Sequence, residues 1–191
     1  MSFLKGKTAL ITGAGRRVLA DGRSGSIGYG IATAYAKEGA NLVITGRNMQ
    51  KLLDAKEELE RLYGIQVLPI QADVNKETDN DAMVAEVIRQ AVEKFGGIDV
   101  LINNAQASAS GVTIADHTTQ QLDLAMYSGL YAAFYYMKHA YHILRKARVL
   151  LSTLLPAQAF SATSARAPMQ QPKKPSAVSH VWPQQNGHRM V

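Results

Sequence analysis

The sequence predicts a doubly wound α/β fold, in which helices cover both faces of a parallel sheet. Short apolar runs rich in β-branched residues alternate with amphipathic segments along the first 141 residues. A glycine-rich loop separates the first apolar run from the first amphipathic segment. The run at residues 98–105 is apolar almost throughout, as expected of a strand covered on both faces. Strands that alternate with helices imply right-handed crossovers and therefore a parallel sheet.

Four strands and four helices are predicted in chain order. The strands lie at residues 8–13, 41–46, 66–74 and 98–105. Pro69 weakens the third strand, because proline cannot donate to a ladder. The helices lie at residues 26–40, 51–63, 79–95 and 118–141, where apolar residues recur at helical spacing. The sequence thus predicts an incomplete Rossmann-like sheet of strands one to four, followed by an irregular tail.

The positive charge of the chain lies after residue 141. Residues 1–141 hold 14 basic and 15 acidic side chains, whereas residues 142–191 hold 7 basic and no acidic ones. The second segment is also rich in Ser, Thr, Ala, Pro and Gln. Composition therefore predicts a partial α/β domain at 1–141 and a non-native basic tail at 142–191, disordered from about residue 145. Strand four is expected to keep an unpaired edge.

The composition also excludes several classes of protein. The chain has no Cys, which removes disulfides, zinc thiolate sites and thiol nucleophiles. Neither a secretory signal nor an apolar window of about 18 residues is present, so we expect a cytoplasmic protein without a membrane partner. The tail lacks the aromatic or glycine interleaving of RNA-binding segments, and no nucleic acid partner is expected.

The loop at residues 12–30 is the first feature that indicates a ligand. Its glycines follow strand one and precede a helix, so the backbone can approach a pyrophosphate while the helix N-terminus offers unpaired N–H groups. This position between strand and helix is more specific for a dinucleotide than glycine spacing alone. The alternative is a glycine-rich surface loop.

Basic residues beside this loop favour NADP(H), with NAD(H) possible. An acidic residue at the end of strand two would accept hydrogen bonds from a ribose 2′-OH. The chain instead has Arg47 there, with Arg16 and Arg17 in the glycine loop. A guanidinium is suited to a 2′-phosphate. Alternatively, Arg47 is only a solvated loop charge.

Three motifs in matching order resemble the short-chain dehydrogenase/reductase family: TGAG at 12–15, Asp73-Val74 after strand three and Asn103-Asn104-Ala105 after strand four. The resemblance covers about the first 140 residues. It implies hydride transfer between NADP(H) and a small-molecule carbonyl or alcohol, and a homo-oligomer in the intact form. It also implies that Asp73 and Val74 meet the adenine, that Asn103 and Ala105 support strand four beside the cofactor, and that the dinucleotide is contacted by Thr12, Gly13, Gly15, Ser26, Ile27 and Gly28.

The sequence departs from the family pattern at several points. The segment RRVLADGR extends the glycine loop, Ser26 replaces a family glycine, and SIGYGIA is similar to the turn of the enoyl-acyl-carrier-protein reductase branch. Gln106 replaces the glycine of the family's NNAG motif, and Gly129 stands where its helix carries a catalytic-site Asn. The last of these differences, at Gly129, puts the proton-relay geometry in doubt.

No residue is assigned a catalytic role. The family's chemistry uses a Tyr as acid or base, a Lys four residues later and a Ser thirteen residues before the Tyr, and this chain has no YxxxK. Tyr131 and Lys138 have the seven-residue spacing of the enoyl reductase branch, but they lie on the helix directly after strand four. They are interpreted, with Tyr127 and Tyr135, as an aromatic packing stripe.

No metal ligand is assigned either. His139 and His142 are interpreted as helix-surface residues, because no carboxylate lies near them in the sequence.

The missing motif can be read in the tail if one nucleotide has been lost just before the codon of His142. Each restored codon then joins the last base of one codon to the first two bases of the next. Pro168 and Met169 give NAT, which includes Tyr, and the next codons permit Ala-Ala-Ala-Lys. Leu155 and Pro156 give NCC, which includes Ser, thirteen positions before that Tyr. The joint register favours a frameshift near Tyr141 over a genuine basic tail.

Two functional hypotheses follow. In the first, the gene encodes an NADP(H)-dependent short-chain oxidoreductase, and this chain retains only its cofactor-binding half and is inactive. In the alternative, the chain is a non-catalytic dinucleotide-binding fragment, or a binding protein whose basic tail contacts an acidic partner.

Overall fold

A computed structural model of the chain describes residues 2–22, 25–74, 80–109, 111–147 and 150–153. Within these ranges one sheet has five strands in the order β3-β2-β1-β4-β5, all paired in parallel. The strands are β1 (Thr8–Thr12), β2 (Asn41–Gly46), β3 (Val67–Gln71), β4 (Val100–Asn103) and β5 (Leu150–Thr153). The helices are α1 (Ile27–Lys37), α2 (Met49–Tyr63), α3 (Asn80–Phe95), α4 (Thr119–Ala125) and α5 (Ala132–Ala147). The predicted α/β fold with a parallel sheet is confirmed.

Local chemistry explains where α1 and α2 begin and end. The Ser26 hydroxyl accepts a hydrogen bond from the Tyr29 N–H and caps α1. The Asn48 side chain accepts from the Lys51 N–H and caps α2. Gly64 ends α2 in the left-handed region, at a φ of 66°, where a glycine is favoured. Capping residues therefore set the start of both helices, and α2 ends at the predicted residue 63, whereas α1 ends at Lys37, before the predicted residue 40.

The core has two layers, one on each face of the sheet. Helices α1 and α2 cover one face, where Ile11, Ile44 and Ile102 of three neighbouring strands are buried. Helices α3 and α5 cover the other face, where Leu10 and Leu101 are buried. Pro69 lies in β3, which is an edge strand of the sheet, so its missing N–H costs no ladder bond to a further strand.

The prediction that strand four keeps an unpaired edge is wrong. Backbone pairing joins Val100 to Leu150 and Asn103 to Thr153, so β5 continues the sheet beyond β4. Disorder from residue 145 is also wrong for this part, since α5 extends to Ala147 and β5 follows it. The physical reason is that the short apolar run of β5 satisfies the edge N–H and C=O groups of β4. Residues 154–191, including the frame-restored Ser and Tyr positions, lie outside the described residues, and the domain boundary at 141 stays a prediction.

The long helix predicted at residues 118–141 is interrupted. The segment Met126–Tyr131 is a π-helical turn between α4 and α5. Single π-turns of this kind occur frequently at functional sites. Within the described ranges, none of the helices combines the length and the hydropathy that crossing a bilayer requires.

Candidate nucleotide-binding site

The candidate site lies where β1 is flanked by β2 on one side and β4 on the other. Chain order reverses here, because β2 and β3 extend the sheet in one direction while β4 and β5 extend it in the other. In open parallel sheets, ligands bind at the carboxyl ends of the strands at such a switch point. The glycine loop (residues 13–26) follows β1 at this edge, and the β4 loop (residues 104–109) follows β4.

Glycines bring the start of α1 against the end of β1. A Cβ atom at Gly28 would lie 2.3 Å from the carbonyl oxygen of Gly13 and 2.5 Å from Nδ2 of Asn104. Gly13 has a φ of +69°, and a Cβ there would lie 3.0 Å from the Cα of Ala105. No side chain fits at Gly28 without moving backbone, so this close approach requires glycine.

The Thr12 hydroxyl joins the two loops. Its Oγ1 accepts hydrogen bonds from the backbone N–H groups of Asn104, at 2.9 Å, and Ala105, at 2.8 Å. In return, Nδ2 of Asn104 donates to the Thr12 carbonyl at 2.8 Å. Asn104 was not among the predicted site residues. Its position inside the Asn103-Asn104-Ala105 motif was the signal that could have identified it.

The N-terminus of α1 is polar and accessible. Ser26 donates from Oγ to the Gly15 carbonyl at 3.2 Å, which ties the end of the glycine loop to its beginning. Ile27, the first residue of α1, is 71% exposed. A large apolar side chain exposed at the start of this helix is available to contact a ligand that lies on the loop.

Arg16 is held by the protein itself. Its Nε donates to Oε2 of Glu58 on α2, and its backbone N–H donates to the Lys51 carbonyl at 2.8 Å. The hydrogen bond to Glu58 raises the pKa of Arg16. Burial acts to raise the pKa of Glu58, but hydrogen bonds with Arg16 and Tyr29 outweigh it and the pKa is lowered. Burial raises the pKa of Tyr29 to about 12.

Arg47 is the more available cation. It follows β2, whose last ladder pair with β1 joins Thr12 to Thr45, so it lies beside the glycine loop. Gln71 donates from Nε2 to the Arg47 carbonyl at 2.9 Å, which fixes the backbone there. The side chain is exposed and forms no ion pair within the described ranges. Arg47 therefore has an anchored backbone and an uncommitted guanidinium.

The predicted adenine-contacting pair follows β3. Val74 is 6% exposed, and its carbonyl accepts a hydrogen bond from Nδ2 of Asn80 at 3.1 Å. Asp73 is half-buried. Both residues lie at the carboxyl edge beyond Gln71, on the same side of the switch point as Arg47.

The β4 loop contains both a backbone N–H that is anchored to the π-turn and buried side-chain atoms without hydrogen-bond partners in the described structure. Ser128, in the π-turn, accepts from the Ala107 N–H at 2.8 Å and donates to the Leu124 carbonyl at 2.6 Å. The carboxamide of Asn103 is buried at the end of β4, and neither Nδ2 nor Oδ1 has a hydrogen-bond partner in the described structure. Oε1 of Gln106 is likewise buried without a partner there. Sequence reasoning had not assigned Ser128, because the contact spans 21 residues.

Other polar residues on α5 serve packing between helices. Lys138 donates from Nζ to Oδ2 of Asp81 on α3 at 2.8 Å, and His139 contacts Oδ1 of the same carboxylate. The hydrogen bond from Lys138 lowers the pKa of Asp81. Lys138 is thus engaged away from Tyr131, which supports the view that these two are not a catalytic pair.

Two expectations for this helix are modified by the structure. Tyr131 is 44% exposed and stacks on Tyr127, so the stripe is only partly packed, and the fully buried tyrosine is Tyr136. His139 does meet a carboxylate, which the fold brings from α3. No cluster of three potential metal ligands occurs among the residues described.

Comparison with known proteins identifies the family. A family model described as enoyl-(acyl carrier protein) reductase matches residues 22–174. The chain belongs to the short-chain dehydrogenase/reductase family. The 12α-hydroxysteroid dehydrogenase of a Clostridium species is 57% identical over 146 residues, which cover 76% of this chain and 54% of that protein. General stress protein 39 of Bacillus subtilis is 35% identical over 152 residues, covering 78% and 48%. The chain thus spans about half the length of these curated relatives.

Solved structures of the family share the fold. An alcohol dehydrogenase from Thermococcus sibiricus, complexed with 5-hydroxy-NADP, superposes with a TM-score of 0.66 at 26% identity, covering 76% of this chain and 56% of that one. L-Sorbose reductase from Gluconobacter frateurii, complexed with NADPH and L-sorbose, gives a TM-score of 0.63 at 28% identity, covering 75% and 49%.

Proposed function

We propose that this chain is the NADP(H)-binding half of a short-chain oxidoreductase. The contact between Gly13 and Gly28 carries the proposal, because a Cβ 2.3 Å from a backbone oxygen excludes any side chain there. Bare backbone at a helix N-terminus, located at the switch point of a parallel sheet, is the arrangement that receives a pyrophosphate. When bound, the nicotinamide of such a cofactor supplies or accepts a hydride.

The residues described fit the phosphorylated form of the cofactor. Arg47 presents an uncommitted guanidinium at the end of β2, where a ribose 2′-substituent would lie. Both solved relatives named above were crystallised with NADP-type ligands. Arg16, in contrast, is engaged with Glu58, so we assign it to holding the glycine loop and Arg47 to the phosphate. NAD(H) is expected to bind more weakly, because it lacks the 2′-phosphate to which Arg47 would bind.

For the full-length product we propose oxidation of a secondary alcohol or reduction of the matching ketone. The 57% identity to a hydroxysteroid dehydrogenase favours a hydroxysteroid as the substrate class. We further propose a homo-oligomer for the full-length form and a cytoplasmic location.

Titration with reduced nicotinamide cofactors tests the cofactor proposal. Arg47→Gln is expected to lower NADPH affinity about 10- to 100-fold, the range for losing a charge-assisted hydrogen bond, and to leave NADH affinity nearly unchanged. Arg61→Gln is the matched control, because Arg61 is an exposed arginine at the C-terminal end of α2, away from the edge. Nicotinamide fluorescence gives both dissociation constants. Equal affinity of the unaltered chain for NADPH and NADH would refute the NADP(H) preference.

We also propose that one lost nucleotide near the Tyr141 codon explains the tail at residues 142–191. The codons of Met169 and its neighbours permit a Tyr-Ala-Ala-Ala-Lys sequence, with a Ser thirteen positions earlier at Pro156. The partial coverage of the curated relatives is consistent with this proposal. The chain as it stands would then lack the Tyr and Lys that move the proton, and would be inactive.

Restoring one base tests the reading frame. The restored protein is expected to oxidise a hydroxysteroid with NADP⁺, whereas the 191-residue chain binds NADPH without turnover. Sequencing the DNA around the Tyr141 codon supplies the direct comparison. Ordinary turnover by the 191-residue chain, with its terminal residues verified by mass, would contradict the frameshift proposal. If removing residues 154–191, which leaves β5 in place, abolished binding instead, the alternative of a binding protein that acts through its basic tail would be supported.

A further inference from the structure

Gln106 and Gly129, two positions at which the sequence departs from the family pattern, lie against each other. A Cβ atom at Gly129 would be 3.4 Å from both Cδ and Nε2 of Gln106. Gln106 belongs to the β4 loop and Gly129 to the π-turn. The absence of a side chain at Gly129 therefore leaves the space that the Gln106 carboxamide occupies.

The backbone on both sides of Gln106 is anchored. The N–H of Ala105 donates to Oγ1 of Thr12 at 2.8 Å, and the N–H of Ala107 donates to Oγ of Ser128 at 2.8 Å. These bonds tie one side of Gln106 to β1 and the other to the π-turn. The backbone at Gln106 therefore needs little further ordering when a ligand binds there.

Among the residues described, no group donates a hydrogen bond to the side-chain oxygen of Gln106. Oε1 of Gln106 is buried and has no hydrogen-bond partner in the structure as described. A buried amide oxygen without a partner costs free energy. Buried polar groups in folded proteins are nearly always hydrogen-bonded, so this oxygen calls for a donor that the described residues do not supply.

We propose that Gln106 binds the nicotinamide-riboside half of the dinucleotide through Oε1, accepting from an O–H or N–H of that half. The proposal rests on the proposed function above. A pyrophosphate at the glycine loop and a ribose phosphate at Arg47 direct the adenosine half over β2 and β3. The other half then extends over β4, where Gln106 lies. Gly129 keeps this position open, because any side chain longer than Ala at residue 129 would displace the carboxamide.

Two ligands separate this contact from the rest of the cofactor. NADPH carries both halves, whereas 2′-phospho-ADP-ribose lacks the nicotinamide ring. Gln106→Met keeps the length of the side chain and removes its hydrogen-bonding atoms. We expect NADPH affinity to fall about 10-fold, and affinity for 2′-phospho-ADP-ribose to change less than about 2-fold if the donor is on the nicotinamide. A third ligand, 2′,5′-ADP, lacks the whole nicotinamide-riboside half. Its affinity should therefore not change in Gln106→Met, even if the donor is a hydroxyl of the second ribose.

Variants at Gly129, the position that faces Gln106, supply a second measurement. Gly129→Asn should lower NADPH affinity as Gln106→Met does, while Gly129→Ala, whose Cβ only reaches van der Waals contact, should not. In the double variant Gln106→Met, Gly129→Asn, the two losses should not add, since both remove one contact. Far-UV circular dichroism checks that each variant folds.

The outcomes are distinct. If 2′,5′-ADP and NADPH both fail to bind the unaltered chain, the proposed function is wrong. If 2′,5′-ADP binds but Gln106→Met leaves NADPH affinity unchanged, or lowers both affinities equally, the proposed contact is wrong and Gln106 has another role.

Discussion

The two sides of the candidate site differ in how completely their polar groups are satisfied. On the glycine-loop side, Ser26 bonds to Gly15 and Tyr29, and Arg16 bonds to Glu58. On the β4-loop side, the carboxamide of Asn103 and Oε1 of Gln106 are buried without partners within the described ranges. These side chains of the glycine-loop side are thus paired before any ligand arrives, whereas those two of the β4-loop side are not. We therefore expect variants on the two sides to affect the binding of a dinucleotide separately.

The largest effect on NADPH affinity is expected from adding a side chain at Gly28, on the glycine-loop side. Gly28→Ala places a Cβ 2.3 Å from the Gly13 carbonyl oxygen, and only movement of backbone relieves that overlap. We expect NADPH affinity to fall more than about 100-fold, with stability lower by about 1–3 kcal/mol. Fluorescence titration and urea unfolding measure the two quantities.

Gly97→Ala is the control for Gly28→Ala. A Cβ at Gly97 would meet only Cγ2 of Ile143, at 4.0 Å, and Gly97 lies at the opposite edge of the sheet. If Gly28→Ala bound NADPH as well as Gly97→Ala does, the close contact would have no role in cofactor binding.

A smaller effect is expected from removing the Thr12 hydroxyl, which joins the glycine loop to the β4 loop. Thr12→Val keeps the shape of the side chain but removes the oxygen that accepts from the N–H groups of Asn104 and Ala105. Leaving these donors unpaired should lower the free energy of unfolding by about 2 kcal/mol. Thr33→Val is the control, since that hydroxyl bonds only back to the Tyr29 carbonyl of its own helix. Similar urea midpoints for the two variants would argue against a joining role for Thr12.

The smallest effect concerns the anchor of the glycine loop. Because the pKa of Glu58 is lowered in the folded chain, its ion pair contributes stability at neutral pH and loses that contribution as pH falls below about 4.5. Glu58→Gln should therefore be slightly less stable than the unaltered chain at neutral pH, and the difference should vanish once the pH falls below the lowered pKa of Glu58. Glu57→Gln, the exposed neighbour on α2, is the control. A difference that persisted unchanged into acid would contradict this assignment.

Much of the fold could be predicted from the sequence because its signals are local. Strand β2 has the predicted bounds, and the capping residues Ser26 and Asn48 fix the helices that follow them. Strand β5 was missed because its four residues are too short a run to give a periodic signal, and pairing with β4 decides their conformation. Tertiary pairing overrides composition for a segment this short.

The site was predicted less completely, for a related reason. The role of Gly13 and Gly28 can be predicted from their position between a strand and a helix. The partners Glu58 and Ser128 do not, because their contacts cross 42 and 21 residues. Arg16 and Arg47 look alike in the sequence, and only the fold shows that one is neutralised by α2.

The hydroxyl of Thr12 makes formation of the nucleotide site a late event in synthesis. Its two donors come from residues 92 and 93 positions further along the chain. Until the ribosome has released Ala105, the Thr12 hydroxyl lacks both of these donors, and only β2 and α2 hold the glycine loop. A nascent chain can fold its first crossover early, yet it acquires a receptive cradle for the cofactor only once β4 has docked.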